Sequence, residues 1–150
     1  KKNIILIDGD LEVNLNQIPK LIKNFESSDK DVLVGIRWEE NNRIFSNINS
    51  FGNYLINGIF NFLFKSNFND VLCCVRILDK DLFKSLKIKS RKFSIEAETL
   101  AKLVLKKASI EQVLIDYKRR SVKEGKKLKL KDGWSIIFQI IKLRLKQNNS

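Results

Sequence analysis

The chain of 150 residues has no histidine and no methionine, a single proline, six glycines and two cysteines. Without histidine, catalysis built on imidazole and the familiar zinc sites are excluded. The cysteines, Cys73 and Cys74, are adjacent, so on a strand they point to opposite faces and cannot staple a fold. A reducing cytosol is the compartment that fits such usage. No apolar run reaches the length of a membrane span, and no signal peptide is recognisable. Internal repeats and low-complexity linkers are also lacking. A translated protein opens on Met, whereas this chain opens on Lys1 with a strand-like run only three residues in. The expectation is a piece of a larger domain, cut at its N-terminus.

What is present is positive charge and ordinary globular composition. Lys and Arg number 29 against 17 acids, a formal net charge of +12, with 43% hydrophobic residues. That describes one domain, residues 1–150, large enough for a real core. The chain is organised around Ile4-Ile5-Leu6-Ile7-Asp8-Gly9-Asp10-Leu11-Glu12. Four aliphatic residues in a row predict a strand covered on both faces of an α/β sheet. Asp8, Asp10 and Glu12 then fall at its carboxyl end, where open α/β sheets place their ligands. Gly9 permits a tight turn, so the three acids can gather oxygens around one hard cation. The plainer reading is that such acids form turns and cap helices.

Further on, Ile18, Leu21, Ile22 and Phe25 follow helical spacing, with Pro19 in the first turn. Asp31 to Arg37 reads as a second buried strand, which makes a βαβ unit with a right-handed crossover. A helical region begins near Arg43. From Asn53 to Lys65 its polarity is confined to Asn53, Asn57, Asn61 and Lys65, one every four residues. A helix this apolar is buried, or faces lipid or a partner. Val71 to Leu78 reads as a strand carrying Arg76, and Asp79 to Leu86 as a short helix. Ser94 is a plausible N-cap, followed by Glu96 and Glu98 in a first turn where the helix dipole favours anions. Glu111 to Tyr117 is a fourth strand. A basic loop from Lys118 to Lys131 follows, and residues 134–147 form an amphipathic C-terminal helix ending in Lys142, Arg144 and Lys146. That helix suits a membrane interface with its cations at the headgroups.

Taken in order, several of these segments resemble one family. Ile7 to Glu12, Gly35-Ile36-Arg37 and the stretch from Arg43 to Asn53 are similar to the acceptor half of family-2 glycosyltransferases, nearest the dolichyl-phosphate mannose synthase-like branch. Phe93-Ser94-Ile95-Glu96-Ala97-Glu98 resembles that branch's Phe-x-Ile-Glu-x-Glu helix start. Tyr117 to Arg120, Glu124 to Leu128 and Lys131-Asp132-Gly133 resemble its Tyr-x-x-Arg…Gly-Lys-Lys…Asp-Gly ending. The likeness covers nearly the whole chain. It departs at Cys74, where the family usually has glycine, and its nucleotide-binding half would lie before Lys1.

The resemblance implies a GT-A type, Rossmann-like fold, a mostly parallel sheet flanked by helices and incomplete at the N-terminus. It implies inverting transfer of a hexose from GDP-mannose or a UDP-hexose to a polyprenyl phosphate at the cytoplasmic face of a membrane. Asp8, Asp10 and Glu12 would hold Mg²⁺ or Mn²⁺ against the donor diphosphate. Arg37, Arg43 and Arg120, with Ser46, would grip the acceptor phosphate, and Lys126 and Lys127 would belong to a lid over phosphates. Asp10 would be central to catalysis. For a hydroxyl acceptor, Asp70 or Glu96 would be the base. The isolated chain is expected to turn over little or nothing. Plainer readings stand beside these: Arg37 and Arg76 as partners of surface acids, Glu96 and Glu98 as dipole partners, the basic loop as solvated chain. The alternatives for the whole are a non-catalytic fragment, or a basic module for nucleic acid or another anion. Nucleic acid is the weaker of these, because aromatics are not interleaved with the basic loop.

Overall fold

Aliphatic runs become strands only where neighbours complete their ladders, and four runs in this chain find one another. The structure is a computed structural model that describes residues 2–38, 48–91, 94–118 and 130–148. Among these, β1 (Asn3–Leu6), β2 (Val32–Ile36), β3 (Arg76–Asp79) and β4 (Ile110–Leu114) form one sheet in the order β1-β3-β2-β4. β3 pairs antiparallel with β1 and β2, while β2 and β4 are parallel. The α/β class is as expected, but the sheet is mixed. Three strands share a direction, yet two of the three ladders are antiparallel. β3 also separates the two strands of the anticipated βαβ unit.

Helices cover both faces. On one lies α1 (Ile18–Ser27), started by Pro19 in its first turn, with Leu21 and Phe25 buried against Leu33, Val75 and Ile77. On the other lie α2 (Ile48–Phe64), α4 (Ile95–Leu105) and α5 (Leu130–Asn148). Their Phe60, Leu100, Leu103, Ile136 and Ile140 are wholly buried with Val32, Val34 and Leu78. Phe60 stacks on Phe64 at 4.6 Å and meets Phe68 edge-on at 5.9 Å. Between β3 and the next loop, α3 (Lys80–Ser85) is capped by Asp79, whose carboxylate accepts from the backbone N–H groups of Asp81 and Leu82.

Three local expectations are corrected. β1 is not buried on both faces: it is the edge strand of the described sheet, with Ile4, Ile5 and Leu6 half-buried. The strand expected from Val71 begins only at Arg76: side chains hold residues 68–71, the Cys73 N–H turns back to the Asp70 carbonyl, and the chain meets β2 at Val75, whose carbonyl accepts from Gly35 N–H at 2.9 Å. Asn57 donates to the Asn69 carbonyl at 2.6 Å and accepts from Val71 N–H at 2.9 Å. Asn61 does the same for Phe68, at 2.9 Å and 2.8 Å. The polar stripe of α2 therefore faces inward onto the 66–71 loop. Part of its apolar surface is left outside: Phe62 is 83% exposed, and Tyr54 and Leu55 are also exposed. Finally, Cys73 and Cys74 lie outside any strand, so the alternation of strand faces does not govern them; Cys73 is buried and Cys74 half-buried.

Candidate functional site

β1 and β2 run in one direction, so Asp8, just beyond β1, and Arg37, just beyond β2, emerge at the same edge of the sheet. Gly35, inside β2, makes this approach possible. A Cβ there would stand 3.0 Å from Val75 and Ile115 side-chain atoms and 3.2 Å from the Cys73 sulfur. Around this edge the structure brings together Asp8, Asp10, Glu12, Arg37, Asp70, Cys74, Arg76, Glu96 and Tyr117.

The acidic segment is shaped by local hydrogen bonds. The Asp10 carboxylate accepts from Glu12 N–H at 3.1 Å, and this turn places Leu11 at φ 63°, with its side chain 79% exposed. A left-handed leucine is strained by about 1 kcal/mol or more. Glu12 is held by the Tyr117 hydroxyl and by its own carbonyl accepting from Lys118 N–H at 2.7 Å. Burial, and then the bond to Glu12, push the Tyr117 hydroxyl up to about 12. The Asp8 carboxyl is raised by burial and next by the charge of Asp10, against a hydrogen bond from the Cys74 thiol. Cys74 itself is lowered by its bond with Cys73 and by the Asp8 backbone N–H.

Arg37 is clamped. Its Nε and Nη2 donate to the two oxygens of Asp70, both at 2.7 Å, and its backbone N–H donates to Asp70 at 3.1 Å. Burial alone would lower the guanidinium, but the Asp70 carboxylate outweighs burial and raises it. The same group lies 4.5 Å from the Trp38 ring centre and 5.3 Å from that of Tyr117. Asp70 is only 1% exposed, and its position follows from the two asparagines that fix its loop. Glu96 sits in the first turn of α4, half-buried, its carboxyl raised by burial, within the electrostatic reach of Arg76, Asp8 and Arg37. Glu98, one turn's face away, serves the fold: its carboxylate takes the Lys89 and Ser90 backbone N–H groups and pairs with Lys102.

Of the residues singled out from sequence, the structure thus gathers Asp8, Asp10, Glu12, Arg37, Asp70 and Glu96. Arg43, Ser46, Arg120, Lys126 and Lys127 lie outside the described residues. Among the described residues, no group of three Asp, Glu, Cys or His side chains converges as a metal cage. Glu12 is turned to Tyr117, so the expected set of Asp8, Asp10 and Glu12 does not gather as a threefold cage, and Asp8 and Asp10 are the two acids of it not held by Tyr117. The sequence gives no sign of Tyr117 as a link between Glu12 and Arg37, and Arg76, expected to pair with surface acids, is buried instead. The fourfold spacing of Asn53, Asn57 and Asn61 was the one signal that a polar stripe was gripping something.

No protein-family profile matches the chain. It is similar to an uncharacterised protein of Methanocaldococcus jannaschii (MJ0544), 29% identical over 126 residues, which cover 81% of this chain and 55% of that protein. The chain therefore spans about half the length of the curated relative it matches.

Proposed function

We propose that this chain is the acceptor-side portion of a GT-A type, metal-dependent inverting glycosyltransferase, moving a hexose from a nucleotide sugar to a polyprenyl phosphate. The observation that carries the reading is the meeting of Asp8 with the Asp70-clamped Arg37 at one sheet edge, Asp8 being pushed up by burial and by Asp10. Acids crowded in this way, in a chain of net charge +12, call for a cation on one side and anions on the other. A bound Mg²⁺ or Mn²⁺ would neutralise charge building on the leaving diphosphate.

The chain's own groups divide the remaining work. Asp8 and Asp10 offer oxygens to the cation. Asp70, fully engaged by Arg37, acts as a positioning residue that fixes the guanidinium over Tyr117. Arg43, Ser46 and Arg120 remain candidates for the acceptor phosphate, and Lys126 and Lys127 for a phosphate lid. A phosphate nucleophile is an anion at neutral pH and needs no strong base; a hydroxyl acceptor would fall to Glu96, since the Asp70 lone pairs are occupied. Peripheral contact with a membrane is supported by the exposed Tyr54, Leu55 and Phe62 of α2 and Trp134, Phe138 and Leu145 of α5, with Lys142 and Lys146 beside them. No helix among the described residues is long and apolar enough to cross a bilayer.

The test is Asp10→Asn in the full-length protein, assayed as transfer of labelled hexose from GDP-mannose or a UDP-hexose into organic-soluble prenyl phosphate with added Mg²⁺ or Mn²⁺. Metal-dependent transfer should vanish while the unfolding midpoint stays close to wild type. Transfer at the wild-type rate would remove the metal assignment and the reading with it.

A further inference from the structure

Arg76 opens β3, paired across the sheet with Leu6 of β1 and Val34 of β2. Side chains alternate along a strand, so it shares a face with Leu78, the face covered by α2, α4 and α5. It is 1% exposed and is the largest fully buried side chain among the described residues. Among the described residues its one hydrogen bond runs from Nη2 to the Val71 carbonyl at 3.2 Å, and its Nε has no partner. Neither ion pair among the described residues includes it. A guanidinium stays protonated under all ordinary conditions, so burial here leaves a positive charge with almost no compensation. That is a costly arrangement to keep for packing alone.

The acid that acts on Arg76 most strongly is Glu96, yet the two form no ion pair among the described residues. Glu96 belongs to the first turn of α4, an eleven-residue helix whose N-cap residue, Ser94, makes no side-chain capping bond. The N–H groups and dipole of that turn favour an anion in the same region, where the Glu96 carboxylate already meets its own N–H. Cys74 and Asp70 are also within electrostatic range, so this region adjoins the sheet edge where Asp8 and Arg37 stand.

We infer that Arg76 and the first turn of α4 form an inner anion subsite at this sheet edge, which takes a phosphoryl group. Arg37 is the weaker candidate, because Asp70 already takes its Nε and Nη2 donors and neutralises its charge; Arg76 has donors to give. Glu96 neutralises Arg76 in part when the subsite is empty and competes with the incoming anion. The inference rests on the phosphate-handling reading of this edge, and the phosphoryl group belongs either to the donor diphosphate or to the acceptor monophosphate.

The experiment is calorimetric titration of the full-length protein, without metal or sugar, using inorganic pyrophosphate for the donor side and farnesyl phosphate for the acceptor side. Arg76→Met should weaken one of the two by about tenfold or more, as loss of charged, forked hydrogen bonds implies. The probe that suffers more names the source. Its unfolding midpoint should hold or rise, because an unpaired buried charge is replaced by an apolar stem of similar length. Arg76→Lys should recover only part of the affinity, since an ammonium lacks the fork. Glu96→Gln should tighten the same probe by about threefold, through removal of a competing charge. The subsite is overturned if wild type binds neither probe, or if Arg76→Met binds both as wild type does. It is equally overturned if Glu96→Gln leaves both affinities unchanged or weaker, a result that stands even if Arg76→Met does not fold. Arg76-dependent binding alongside Asp10-independent transfer would sink the metal mechanism and keep the subsite; the reverse pattern would do the opposite.

Discussion

Two arginines lie at neighbouring points of the same sheet and live in opposite conditions. Arg37, at the end of β2, is locked by three hydrogen bonds to Asp70 and flanked by two aromatic rings. Arg76, at the start of β3, is more deeply buried yet has a single hydrogen bond and an unpartnered Nε. From sequence both look like strand-end cations with surface acids for company, and neither has that. Arg37 is a completed pair, and its worth lies in being immovable. Arg76 is an incomplete one, and the proposed anion subsite would complete it.

The contrast can be broken most violently at Asp70. Asp70→Asn leaves the Arg37 charge buried without its counterion, and should cost about 3–5 kcal/mol of stability. Equilibrium denaturation in urea measures it; a loss below about 1 kcal/mol would mean that Arg37 simply swings into solvent, as a surface pair would allow. Arg76→Met is the counter-test, expected to be neutral or stabilising for the same physical reason.

Acid titration comes next in size. Burial pushes the Glu98 carboxyl up, but Lys102 and the Ser90 and Lys89 hydrogen bonds outweigh it and hold it at about 2. A carboxylate with a depressed folded value contributes stability above its ordinary range, near 4.5, and loses it as the pH falls toward 2. The contribution is on the order of 3 kcal/mol at neutral pH and should be absent from Glu98→Gln when midpoints are followed from pH 6 to pH 2. A parallel acid profile in the variant would show that Glu98 does not anchor the 89–90 segment.

The gentlest cut is Asn57→Ala, which orphans the Asn69 carbonyl and the Val71 N–H. A loss of roughly 2 kcal/mol is expected from two unsatisfied backbone groups. Because the same loop carries Asp70, Arg37 should loosen with it, visible as faster hydrogen exchange at Arg37 N–H. Unchanged exchange would separate the asparagine clamp from the arginine clamp.

Much of the frame was legible beforehand. The runs at Ile4 and at Val32, the helix opened by Pro19 and the helices around Phe60 and Leu100 appear close to where periodicity puts them. The acids after β1 also arrive at the sheet edge as a strand end requires. What was illegible came from long-range pairing. The 71–75 segment has strand-forming residues, but asparagines of α2 take the backbone groups of Phe68, Asn69 and Val71 just where it would begin, and nothing local announces that. Asp70 looked available as a base until Arg37 took it, across 33 residues of sequence.

The sequence by itself determined the α/β class, the approximate elements and the cluster of acids, because hydrophobic periodicity and turn chemistry act between near neighbours. Only the tertiary structure decided the reversed β3 between β1 and β2, the inward face of the α2 asparagines, and which arginine is paired and which is left open. Those outcomes depend on what each buried polar group meets once water is excluded, and a chain reveals such partners only when it is folded.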